Sequence, residues 1–197
     1  VETLFGDSIT AIDDDGSRAR VGFEHSPSRE FDLVIGADGL HSRVRQLVFG
    51  PDAKCEYPMG CHVASFEVAG YRPRNGSAYV AYTAPGRYVA RFPMRDDRML
   101  FFVLLRDEHL KGRIPTERKA ALTDALADIG WESTSILSAV GQVDDIYFDS
   151  ISQIRMEAWA KGKVALIGDA AACPSLIAGE GAGFALAEAY VLAGELH

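Results

Sequence analysis

Asp32-Leu33-Val34-Ile35-Gly36-Ala37-Asp38-Gly39-Leu40-His41-Ser42-Arg43-Val44-Arg45 is the stretch on which the fold turns. The apolar run Phe31 to Ile35 has the character of a short buried strand. It ends in Gly36 and Asp38-Gly39, after which Ser42 is placed to cap a helix running through Arg43, Val44, Arg45, Gln46 and Leu47. The same design recurs far along the chain. Lys163-Val164-Ala165-Leu166-Ile167 is a second buried-type strand, and Gly168-Asp169 closes it. In open α/β sheets, ligands bind outside the carboxyl ends of strands. A carboxylate there accepts hydrogen bonds from ribose or ribityl hydroxyls, and nearby glycines let a backbone come close. The alternative for each Asp is plain capping of the turn or helix that follows.

Beyond Asp169 the chain is rich in small residues, Ala170-Ala171-Ala172-Cys173-Pro174-Ser175-Leu176-Ile177-Ala178, and then Gly179-Glu180-Gly181-Ala182-Gly183 opens a final helix from about Gly181. Such a segment allows a flat ligand to lie against backbone. The amides of Gly181, Ala182 and Gly183 point out of the helix N-terminus, where the macrodipole is positive. That end suits an electron-rich carbonyl or an anionic ring. The competing explanation is a helix start packed closely on a sheet.

Working outward, Asp13-Asp14-Asp15-Gly16 reads as the turn of a hairpin between Ser8–Ile12 and Ala19–Glu24. The middle of the chain is strand-rich: Val63–Val68, Ser77–Tyr82, Tyr88–Phe92 and Met99–Leu105 alternate with Gly, Pro and Asp turns. An antiparallel meander of this kind leaves one face free to line a cavity. Tyr79, Tyr82, Arg91 and Phe92 are the candidates to face it, with Arg91 suited to a carboxylated or phenolate ligand; the alternative is ordinary sheet surface. Pro115-Thr116-Glu117 opens a helix whose apolar positions are Ala121, Leu122, Ala125, Leu126 and Ile129, with Gly130 as its stop. A shorter helix spans Ser133 to Val140, and Ile146 to Ile151 returns to β-character.

The first stretch closely resembles the "DG" motif of the para-hydroxybenzoate-hydroxylase-like flavoprotein monooxygenases. Trp159, Gly162 through Ala171, Pro174 and Gly179-Glu180-Gly181 resemble that family's "GD" motif. Both occur in the family's order, on either side of a strand-rich middle. The resemblance implies a mixed α+β and α/β architecture. Residues 1–56 and 150–197 would be parts of a Rossmann-like FAD domain, and 57–149 an antiparallel substrate-binding sheet with helices. It implies that Asp169, with Gly168, binds the ribityl chain of FAD, and that Gly181, Ala182 and Gly183 face the flavin pyrimidine edge. It places Asp38 and Gly39 near the FAD pyrophosphate and the route of NAD(P)H, and gives Arg45 the task of holding that loop. Pro174 and Gly179 belong to the same cofactor set. The activity implied is hydroxylation of an aromatic or similar small organic substrate with NAD(P)H and O2. The chain departs from the family at Ala172, Leu176 and Glu180, where His, Pro and Gln are usual. It also lacks the opening G-x-G-x-x-G segment, since Gly179 to Phe184 follows a loop and ends in Phe184. The expectation is a fragment that is itself inactive.

Composition narrows the partners. The formal charge is -8, with no basic block, which argues against nucleic acid and anionic membranes and leaves a small-molecule substrate. No apolar run reaches the length that crosses a bilayer, and Val1-Glu2-Thr3-Leu4-Phe5 lacks the basic start of a signal peptide, so a cytoplasmic setting is expected. Cys55, Cys61 and Cys173 have no metal-type spacing and read as reduced thiols, although Cys55 and Cys61 are near enough in sequence to pair. His25, His41, His62, His109 and His197 are scattered, which does not describe a metal site. Gly6-Asp7-Ser8-Ile9 resembles an esterase nucleophile block, but no Asp-x-x-His follows to complete a triad. A Trp-x-Trp-x-x-Pro segment, which a flavin halogenase would carry, is missing. A flavin-free binding module and a related FAD-dependent reductase are the other readings.

Overall fold

A computed structural model describes residues 1–73, 78–110 and 117–196. Ser77, Pro115, Thr116 and His197 lie outside the described residues. The chain divides into two compact units, Val1–Pro58 with Ser152–His197, and Met59–Ile151.

In the first unit, β1 (Ile9–Asp14) and β2 (Ala19–Phe23) form the hairpin set by the Asp-rich turn, and β3 (Arg29–Phe31) adds to β2. Asp15 Oδ1 fixes that turn by accepting from the Ser17 and Arg18 amides, both at 2.8 Å. The apolar run expected as one strand is in fact two. β3 belongs to the hairpin sheet, whereas β4 (Val34–Gly36) leaves it to pair elsewhere. The break falls at Asp32, an exposed residue ion-paired with Arg18, which a continuous buried strand could not accommodate.

β4 pairs in parallel with β11 (Val164–Leu166), and β10 (Ala160–Lys161) completes that sheet on the other side of β11. The register sets Val34 opposite Val164, Ile35 opposite Ala165 and Gly36 opposite Leu166. Side chains at Val34, Val164 and Leu166 are buried with Val44, Ala170 and Ala171 in one apolar core. Gly36 is required by this packing. A Cβ there would lie 2.6 Å from Leu166 Cδ2 and 2.9 Å from Val44 Cβ. Helix α1 (Arg43–Phe49) begins at Ser42, whose Oγ accepts from the Arg45 amide at 3.0 Å. Helix α4 (Asp169–Ala172) follows β11, and helix α5 (Gly181–Glu195) closes the unit.

The second unit is built on a sheet of order β6-β7-β8-β5-β9, with β5 Glu56–Ala69, β6 Val80–Ala84, β7 Arg87–Pro93, β8 Arg98–Arg106 and β9 Tyr147–Ile154. β5 runs much longer than the apolar Val63–Val68 core that marks it in the sequence. Helices α2 (Arg118–Leu126) and α3 (Ser133–Gln142) pack on one face of this sheet. There Leu122, Leu126 and Ile136 share a core with Phe66, Val89, Phe101, Val103 and Leu105. Helices with parallel and antiparallel strands together make this an α+β chain. Among the described residues no helix is long and apolar enough to cross a membrane.

Candidate functional site

The register of β4 and β11 decides where the two Asp motifs meet. Gly36 and Leu166 are neighbours, so the loops that follow them leave the same strand ends side by side. A cleft of about 480 Å3 opens there, lined by Ala37, Gly39, Ile167, Gly168, Asp169, Gly181, Ala182, Ala185 and Leu186. Five of the expected cofactor residues, Gly39, Gly168, Asp169, Gly181 and Ala182, are therefore together at one site.

The others are placed differently. The Asp38 carboxylate is engaged at the start of α1, accepting from Ser42 Oγ at 2.5 Å and from the Val44 amide at 3.0 Å. Its capping role, one of the two alternatives for this residue, is the one the structure displays. Pro174 lines a neighbouring groove of about 410 Å3 with Trp159, Phe184 and Glu188. Gly179 ends a short helical turn in the left-handed conformation. Gly183 has open space around its Cα.

Arg45 lies in the first turn of α1. It is wholly buried, and its guanidinium donates to Asp52 Oδ1 at 2.9 and 3.0 Å, to the Leu40 carbonyl at 2.6 Å and to the Ala170 carbonyl at 2.9 Å. One side chain thus closes the first Asp loop and ties it to the second motif. The fork geometry of Arg is what makes so many directed contacts possible from a single buried charge.

Asp169 opens α4 and is half-buried at the cleft. A Cβ on Gly181 would lie 3.2 Å from its Oδ1, so the carboxylate sits against the start of α5 and no side chain larger than glycine's fits there without a shift. Gly168 before it has φ 60° and ψ -147°, a backbone conformation essentially restricted to glycine. Its amide donates to Glu188 Oε2 at 2.5 Å. Glu188 was not foreseen. It stands seven residues beyond Gly181, two turns along the same helix face, and that spacing is the signal that would have found it. The loop between Pro174 and α5 also holds Ser175 at φ 91°, strained backbone of the kind that collects at functional sites. The Cys173 thiol is pushed above its ordinary range by burial, with Asp169 beside it acting in the same direction.

The residues present fit an FAD molecule by donor set and by shape. Six of the nine residues lining the cleft are Gly or Ala. α5 has no side-chain cap, its first backbone bond being the Phe184 amide to the Glu180 carbonyl at 3.1 Å, so the amides of Gly181, Ala182 and Gly183 lack partners within the helix. Unmet donors at a helix start beside a carboxylate suit a ligand carrying carbonyl oxygens and hydroxyls.

In the second unit, strand alternation separates the four substrate candidates. Phe92 lies opposite Leu100, and Tyr79 packs on it with ring centroids 4.7 Å apart. Tyr82 and Arg91 point the other way, to the helix-covered face. Tyr82 stacks on Trp131 at 5.7 Å, and Arg91 is completely buried, 3.4 Å from Glu132 and 5.8 Å from the Trp131 ring centre. Glu132 also accepts from the Tyr71 hydroxyl at 2.8 Å. The expectation that Arg91 meets a carboxylated ligand is corrected here: its charge is already matched by a buried carboxylate. The esterase-like Asp7 is equally accounted for, since its Oδ1 accepts from the Ser8 and His25 amides in a turn. Among the described residues no group of His, Cys, Asp and Glu could hold a metal ion, and all three cysteines are free.

The family model described as FAD binding domain matches residues 2–197. An uncharacterised protein of Mycobacterium tuberculosis is 43% identical over 201 residues, covering 100% of this chain and 53% of its own length. A flavin-dependent monooxygenase of Legionella longbeachae is 33% identical over 207 residues, covering 100% of this chain and 51% of its own. The crystal structure of the tetracycline destructase Tet(55) superposes with a TM-score of 0.79 at 32% identity, covering 96% of this chain and 51% of that one. The chain spans about half the length of the curated relatives it matches. It belongs to the FAD binding domain family, and the named relatives it resembles are flavin-dependent monooxygenases.

Proposed function

We propose that this chain is the part of an FAD-dependent monooxygenase that holds the flavin end of the cofactor and binds the substrate, in an enzyme that hydroxylates an aromatic or similar small organic molecule with NAD(P)H and O2. The observation that carries the reading is the parallel register of β4 and β11, which delivers the Gly39 loop, Asp169 and the α5 N-terminus to one cleft. Bound flavin supplies the redox chemistry, taking electrons from reduced nicotinamide and activating O2. The chain's own contribution is positioning. Asp169 accepts from ribityl hydroxyls, and the amides of Gly181 to Gly183 donate to carbonyl oxygens of the ring, where the helix dipole favours added negative charge. Glu188 fixes the Gly168 amide and with it the aim of Asp169. Arg45 and Asp38 shape the Gly39 loop from behind.

The test is an FAD titration of the full natural chain, read by flavin absorbance and fluorescence quenching, followed by O2 uptake with NADH and with NADPH. Saturable FAD binding and substrate-stimulated O2 consumption are expected. A full chain that never takes up FAD returns the flavin-free binding module as the better account.

A further inference from the structure

Among the described residues, the outer face of the second unit's sheet carries an aromatic floor with no cation in its middle. Alternation along β7 and β8 sets Tyr88, Ala90 and Phe92 beside Leu104, Phe102 and Leu100 on this face, and Arg91 with Phe101 on the other. The charges that do share it sit at its ends: Arg98 is ion-paired with Glu67 at one end of β8, and Arg106 stands at the other. Across the middle, Tyr79 leans on Phe92 with rings 4.7 Å apart, and Tyr88 meets Phe102 edge-on at 6.5 Å. The Tyr79 and Tyr88 hydroxyls are 2.6 Å apart. Two hydroxyls joined by one hydrogen bond keep one proton to spare, because only one of the two is used between them. The pair is thus a single neutral donor beside a flat apolar surface. Tyr88 keeps its proton, since its hydrogen bond to Tyr79, helped by burial, favours the neutral phenol and pushes it up to about 12.

From this arrangement we infer that the sheet selects an uncharged planar aromatic substrate with a carbonyl- or hydroxyl-bearing edge, oriented by the Tyr79–Tyr88 pair, and disfavours carboxylates. The inference rests on the monooxygenase reading above. An apolar ring gains by covering Phe92, Phe102, Leu100 and Leu104, and its oxygen edge accepts the spare phenolic proton. A carboxylate in the same place would lose its water without gaining a cation, because Arg91 is turned away and held by Glu132. Tyr79 and Tyr88 are accordingly specificity-determining residues.

The experiment uses the full natural chain loaded with FAD and titrated at pH 7 with 2-naphthol and 2-naphthoate, matched in ring size and different in charge. Both the flavin spectrum and protein fluorescence are followed. Naphthol is expected to bind roughly tenfold or more tighter than naphthoate. Tyr79→Phe and Tyr88→Phe should each weaken naphthol roughly fivefold at unchanged flavin content, and Tyr79→Arg should shift the preference towards naphthoate. Equal or tighter binding of naphthoate by the natural protein, no saturable binding of either probe, or naphthol affinity unmoved in both Phe variants would overturn the inference. A natural protein that prefers naphthol by its own fluorescence but holds no flavin would reject the monooxygenase reading and leave the charge selectivity standing.

Discussion

Arg45 Nη1 donates to the carbonyl of Ala170 at 2.9 Å, 125 positions further along the sequence. The contact joins the helix behind the first Asp loop to the short helix that Asp169 opens. The same guanidinium holds Asp52 and the Leu40 carbonyl, so the shape of both loops depends on one buried charge.

Removing it should be costly. Arg45→Ala leaves Asp52 without its cation and two carbonyls without a donor, and should lower stability by roughly 3 kcal/mol in urea unfolding. Arg45→Lys keeps the charge but not the fork, and should recover only part of that loss. A loss of under about 1 kcal/mol in the Ala variant would show that Asp52 finds another partner.

Gly36→Ala tests the packing of the two motif strands. The added methyl meets Leu166 and Val44 at distances that force the core to shift, so destabilisation of about 1–3 kcal/mol is expected from thermal unfolding. A neutral result would mean that the strands separate more easily than their register suggests.

The flavin end of the cleft is open to a paired test. Asp169→Ala in the full natural chain should weaken FAD roughly tenfold or more with Tm little changed, as expected for a lost charge-assisted hydrogen bond. Glu188→Ala should also weaken FAD, by freeing the Gly168 amide, whereas Glu188→Gln keeps an acceptor and should restore most of the affinity. Identical FAD affinity in Ala and Gln variants at position 188 would remove its positioning role.

Thiol chemistry should separate the cysteines. Burial pushes the Cys55 and Cys173 thiols up, so at mildly alkaline pH both hold less thiolate and are shielded as well. Cys61 is only half-buried. A disulfide reagent should consume one thiol quickly in the folded chain and two slowly, with all three reacting in denaturant; mass mapping of a fast-labelled Cys173 would contradict the burial described here.

The Asp7 turn should loosen in acid. Hydrogen bonds from the Ser26 hydroxyl and the His25 amide lower the Asp7 carboxyl to about 2. A depressed folded value stabilises the turn above the ordinary carboxylate range, and that contribution disappears as pH falls from about 4 through about 2. Amide exchange at His25 followed by NMR should accelerate over that window; exchange that is flat down to pH 2 would show that the turn is held by other contacts.

Much of this was legible in the sequence because it rests on local chemistry. The Asp-rich hairpin turn, the Ser42 cap and the apolar strand runs each declare themselves within a few residues. The four substrate candidates were divided by a longer-range fact. Tyr79 and Phe92 lie on one face, Tyr82 and Arg91 on the other, and only the pairing of β6, β7 and β8 in register says which is which. Arg45 is named from the family resemblance as holding the first Asp loop, but the partners that bury it are not legible in the sequence. Its burial depends on Asp52 and Ala170, neither of which any spacing rule connects to it. In the Phe31–Ile35 run the charge of Asp32 marks a break, but nothing local says that the two halves join different sheets.

The parallel pairing of β4 with β11 has a consequence for the order in which the molecule is made. Val34 waits for Val164, so the first strand leaves the ribosome long before its neighbour exists. Closing so long a loop carries a conformational cost before any contact rewards it, and folds dominated by such distant pairings form slowly. The antiparallel sheet of Met59–Ile151, whose β6, β7 and β8 are joined by short turns, can fold during that interval. Synthesis should therefore produce an ordered middle first and a cofactor cleft last, with the apolar Val34–Gly36 segment depending on chaperones in between.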